Sequence, residues 1–186
     1  MKVDLIAEYI STLPVDDDHP YRSGAWRPNT KEFDAYALGT EGDLPMDLSG
    51  VYLRNTENPL HHAIGRYHPF DGDGMLHSLY VHNGEAEYRN RFVRSDGFEA
   101  ELIQNGPLWA GLMESPKKSL RDGWGARTRL KDASSTDVVV HGISAFNHSW
   151  MSIAIITIIN TVVVVMYHHP VSYTHLRAHE TREDRG

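Results

Sequence analysis

The stretch YHPFDGDGMLHSLYVHNGEAEYRNRFVR, Tyr67–Arg94, packs three His, a DGDG run, an Asn-Gly pair and an aromatic-basic alternation into 28 residues. It reads either as a metal loop or as a tight turn feeding a β-hairpin. The hairpin signals are strong. Met75–Val81 and Glu85–Val93 are strand-like and flank His82-Asn83-Gly84. Asn-Gly is the preferred dipeptide of a two-residue type I′ turn, because both residues tolerate positive φ. In the second strand Ala86, Tyr88, Asn90 and Phe92 fall on one face, and Glu85, Glu87, Arg89 and Arg91 on the other. The metal loop fares worse. An EF-hand begun at Asp71 needs an oxygen ligand at position 5, Gly at 6 and Glu at 12, but finds Met75, Leu76 and His82. His77 and His82 are an odd number apart, so on one strand they face opposite ways. His68, Asp71, Gly72, Asp73 and Gly74 therefore read as a scaffold motif. His68 and Asp71 are expected to bond local backbone, and Gly72 and Gly74 to supply φ angles that other residues resist.

Working outward, Gly50–Asn55 (GVYLRN) and Asp137–Phe146 (DVVVHGISAF) are further strand signals. Between the signals lie segments punctuated by Gly, Pro and Asn, which points to an all-β fold: sandwich, barrel or propeller. Val3, Leu5, Ile6, Tyr9 and Ile10 give partial helical periodicity, so residues 1–18 are expected to form a short helix and an acidic linker. The apolar run Ile153–Tyr167 is shorter than the roughly 20 residues of a spanning helix and rich in β-branched residues, which favours two buried strands or non-native sequence. The last sixteen residues, VSYTHLRAHETREDRG, show neither strand alternation nor an apolar face; the string resembles translated sequencing-adaptor tails, and the resemblance implies a non-native tail.

A formal net charge of −7 argues against nucleic acid as a partner. With no cysteine in the chain, disulfides, thiolate metal sites and Cys nucleophiles are excluded. Any metal would rest on carboxylates and the twelve His. His61-His62 and His168-His169 read as loop pairs; His175 and His179, four apart, lie in the tail. No phosphate loop and no nucleophile elbow is present, and Trp109, Trp124 and Trp150 read as core. Asp4 and Glu8 interrupt any signal peptide, so the expected location is cytoplasmic.

The order of motifs adds what local chemistry does not. HPYRSGAWRPNTKEF, DLPMDLSGVYLRNTENPL, the opening stretch continued to Glu101, and SSTDVVVH together resemble the amino-terminal part of the carotenoid cleavage oxygenases, over about His19–His141. The family includes retinal-forming, apocarotenoid-cleaving and lignostilbene-cleaving dioxygenases. The resemblance implies a seven-bladed β-propeller with an axial non-haem Fe(II) held by four His and oriented by outer carboxylates. It further implies an apolar conjugated substrate and O2 as partners, peripheral contact with membranes, and cleavage of one C=C bond into two carbonyls. In the family the ligand His lie on later blades, and the apolar-strand, Pro and small-His-Pro sequence expected after VVVH is missing. No catalytic, cofactor or metal role is therefore assigned to a residue of this chain, His169 included.

A blade takes roughly 40–50 residues, so the matched region supplies two or three blades of seven. The expected organisation is a helix and linker over 1–18, propeller sequence over 19–142, an apolar β-rich segment over 143–170 and the tail over 171–186. Such a chain is expected to be an inactive, poorly stable fragment of an oxygenase. The competing reading is a metal-free β-rich binding module.

Overall fold

The structure is a computed structural model that describes residues 1–122, 131–133, 137–141, 144–148 and 153–157. Five strands form one antiparallel sheet: β1 (Lys2–Glu8), β2 (Lys31–Tyr36), β3 (Gly50–Glu57), β4 (Gly74–His82) and β5 (Glu85–Phe92). Their order across the sheet is β1-β2-β5-β4-β3. After β5 the chain enters α1 (Asp96–Gln104). A second antiparallel sheet, β6-β7-β8, is built from Asp137–His141, Ser144–His148 and Ile153–Thr157. The all-β class holds, as a partial β-propeller.

The β4–β5 hairpin follows the sequence expectation. His82 pairs with Glu85 across Asn83 (φ 49°) and Gly84 (φ 74°), the two positive-φ positions a type I′ turn needs. Ala86, Asn90 and Phe92 are buried, as the alternation requires. Val51 and Leu53 of β3 are buried while Tyr52 between them is exposed.

Between β2 and β5 the backbone pairing covers only Asp34↔Arg89 and Ala35↔Tyr88. Beyond it, side chains replace the ladder. Asn90, fully buried, accepts from Phe33 N at 2.8 Å and donates to Lys31 O at 2.8 Å. The buried Glu32 carboxylate accepts from Phe92 N at 2.8 Å. Both satisfy backbone groups that burial would otherwise strand.

Two expectations need correction. Residues 2–8 are not helical; they form β1, paired with β2 from Lys2↔Tyr36 to Glu8↔Lys31 with a bulge between Leu5 and Ala7. An isolated helix this short cannot offset its nucleation cost, whereas pairing satisfies a whole strand of backbone at once. No boundary in the sheet follows residue 18, since β1 belongs with 31–92. The helix α1 was not anticipated. Ser95 caps it by accepting from Phe98 N at 3.1 Å, and Asp96 and Glu99 sit in its first turn. It ends at Asn105 in the left-handed conformation.

The core lies where the hairpin, α1 and the 57–61 loop meet. Leu60, Met75, Phe92 and Phe98 are buried together, with Tyr9 and Leu102 packed on them. The Phe92 and Phe98 rings stack at 4.9 Å, and Tyr9 meets Phe92 edge-on at 5.3 Å. Ile153–Thr157 forms strand β8, in keeping with the β reading of the apolar run; the span 158–186, tail included, lies outside the described residues.

Candidate functional site

The scaffold motif begins with a single 3-10 turn, Pro69–Asp71. His68 caps it: its Nδ1 accepts from Phe70 N at 3.2 Å, and the Asp71 carboxylate reaches back to His68 N at 2.9 Å. This is a capping box built from His and Asp. Asp71 also accepts from Leu112 N at 2.7 Å, tying the motif to a loop 41 residues away. Burial pushes its carboxyl pKa upward, against the lowering effect of those two backbone donors.

Gly72 is present for closeness rather than conformation. Its φ is −67°, open to any residue. A Cβ there would lie 2.7 Å from Glu57 Cβ and 2.9 Å from Asn58 N. Gly74 likewise has no positive φ among the described residues. Its backbone accepts from Val93 N at 2.8 Å and donates to Ala133 O at 2.7 Å. The expectation of special φ angles at Gly72 and Gly74 is thus corrected to close packing and backbone bridging; local backbone bonding by His68 and Asp71 holds.

Asp73 anchors a buried ion cluster. It accepts from Leu60 N at 3.1 Å and pairs with Lys131 Nζ at 2.8 Å. Lys131 pairs in turn with Glu101 at 2.7 Å, and Glu101 accepts from Leu108 N at 2.9 Å. Burial alone would lower the Lys131 pKa, but the two carboxylates outweigh it and hold it above the ordinary Lys value. His61, buried next to this cluster, has Nδ1 at 3.3 Å from Thr12 Oγ1. Burial, aided by Lys131, lowers its pKa despite the opposing pull of Asp73.

The three His of the opening stretch do not converge. His68 caps its turn. His77 lies between Thr56 Oγ1, 2.9 Å from Nε2, and the Tyr88 hydroxyl, 2.5 Å from Nδ1. His82 is exposed and meets Ser49 at 3.0 Å. Among the described residues no three His, Asp or Glu side chains gather where they could hold a metal ion. These residues do not fit a four-His iron centre. Sequence reasoning missed Lys131 and Glu101; nothing local marks them, because their importance comes from meeting Asp73 in space.

Comparison with known proteins places this geometry. Residues 26–151 match the family described as Retinal pigment epithelial membrane protein. The chain belongs to that family. This family of carotenoid cleavage oxygenases supplies its named relatives as well. The chain is 37% identical over 107 residues to a carotenoid 9,10(9',10')-cleavage dioxygenase of Pisum sativum, covering 56% of this chain and 20% of that protein. It is 43% identical over 67 residues to a probable chloroplastic carotenoid cleavage dioxygenase 4 of Arabidopsis thaliana, covering 36% and 11%. Among solved structures, the lignostilbene dioxygenase of Pseudomonas brassicacearum aligns with a TM-score of 0.59 at 22% identity, over 69% of this chain and 26% of that one. That likeness concerns fold alone. Cobalt-substituted Synechocystis apocarotenoid oxygenase aligns with a TM-score of 0.52 at 27% identity, over 64% and 26%. The chain thus spans about a quarter or less of the relatives it matches.

Proposed function

We propose that this chain supplies scaffold to a non-haem Fe(II) dioxygenase that adds both atoms of O2 across one C=C bond, yielding two carbonyls. The substrate is an apolar conjugated molecule of the carotenoid, apocarotenoid or stilbenoid class, met through peripheral contact with a membrane surface. In this reading the chain is inactive by itself. The observation that carries the reading is the family match over 26–151, the region containing the aspartate-glycine motif and strands β2 to β7. Four His ligands suit Fe(II) chemically, and in this reading they come from outside the scaffold described here.

A chimera tests it. Residues 26–141 are placed in the corresponding segment of the Pisum sativum relative, which is 37% identical over its match. The expected result is a folded chimera that binds Fe(II) and cleaves an apocarotenoid only when O2 is admitted. A folded chimera that holds iron but has lost O2-dependent cleavage would refute the scaffold role.

A further inference from the structure

We propose that a cleft next to the scaffold motif binds a small organic oxyanion, a carboxylate or phosphate carried on an aromatic body. The cleft lies between the 19–22 loop, the 62–69 segment and Met113, and has a volume of about 630 Å³. That is ordinary for a small-molecule site and far larger than one inorganic anion. Its lining contains two Arg and three His and no carboxylate, on a chain whose net charge is −7. Local charge there is opposite to that of the chain as a whole.

The donors are held in place. His19 Nδ1 accepts from Tyr21 N at 3.2 Å, and His68 Nδ1 accepts from Phe70 N at 3.2 Å. A neutral imidazole that accepts at Nδ1 carries its proton on Nε2. Both rings therefore offer an Nε2–H donor. His62, exposed on the same lining, is steadied by Thr12 Oγ1 at 3.0 Å from its Nδ1. Arg22 is clamped by Asp17 at 2.7 Å and lies 5.0 Å over the Tyr67 ring. Asp17 thus neutralises Arg22 but fixes it as a wall. Arg66 has no ion-pair partner among the described residues and supplies the uncompensated charge. The nearby Glu114 carboxylate, beside Gly65, is engaged by Lys118 at 3.5 Å. Tyr21, Tyr67 and Met113 provide the apolar surface for a ring.

This inference does not depend on the oxygenase reading. The test is calorimetric titration of the full chain with benzoate, phenyl phosphate, inorganic phosphate and neutral benzamide. Benzoate or phenyl phosphate is expected to bind at least about tenfold more tightly than benzamide, as one charge-assisted hydrogen bond implies. Inorganic phosphate is expected to bind more weakly than phenyl phosphate; preference between benzoate and phenyl phosphate separates carboxylate from phosphate ligands. Arg66→Ala and His62→Gln, both at exposed positions, should each weaken binding about tenfold, and Lys2→Ala, a remote cation, should not. Benzamide binding as tightly as benzoate, no binding of either aromatic anion, or equal losses in all three variants would overturn the proposal.

Discussion

Gly72 sits where a methyl group would meet the Glu57 side chain and the Asn58 backbone. DGDG reads as a turn, and glycine in a turn suggests positive φ. Here the backbone is ordinary and the neighbours are close. That crowding involves Glu57 and Asn58, fifteen and fourteen residues upstream, so no local pattern reports it. Gly72→Ala is expected to cost about 1–3 kcal/mol through overpacking, measured by urea unfolding. Lys131 was equally illegible: a single Lys in a basic connection turns out to join Asp73 and Glu101. Lys131→Met should cost about 3–5 kcal/mol, since it leaves two buried carboxylates facing one another without a cation. His77 and His61 add a pH dependence. Burial lowers both pKa values, with Arg54 contributing at His77 and Lys131 at His61. The unfolded chain then takes up protons at higher pH than the folded one. Their contribution is complete above about pH 6.5, the ordinary His value, and is lost as pH falls from there through the depressed folded pKa. The urea midpoint should drop between pH 7.5 and 5.5, and His77→Gln should flatten that slope.

At the scale of elements, the hairpin was legible because its signals are local: a dipeptide with defined φ and a period-two alternation on each side. β1 was not, because Val3, Leu5 and Ile6 are exposed in the sheet and carry no burial pattern for periodicity to follow. Strand identity there comes from pairing with β2, a partner roughly thirty residues away. α1 could have been found from Ser95 followed by acidic residues and closed by Asn105-Gly106, but at nine residues it offers a weak periodic signal. Ser95→Ala should remove the cap and cost about 1 kcal/mol. Loss of helix on thermal scans well before the sheet melts would show that α1 depends on this bond more than on Phe98 packing.

For the whole molecule, motif order identified the family although no single motif would have. The knot at residues 68–74 joins β4, the 57–60 loop, the 110–112 loop and the 131–133 segment, so its residues are constrained by four regions simultaneously. Packing and backbone bonds from those four regions account for the residues of the motif. The sequence could not show whether its His meet on a metal, because metal sites are meetings in space; in the structure His68 caps its turn, His77 lies between Thr56 and Tyr88, and His62 meets Thr12. The central claim is that this chain holds the scaffold of an oxygenase and not its iron. The direct measurement is anaerobic Fe(II) titration of the purified chain with bound iron counted after gel filtration. The account predicts no stoichiometric iron retained; one Fe(II) carried tightly by each chain, with O2-dependent cleavage of an apocarotenoid or stilbene, would contradict it.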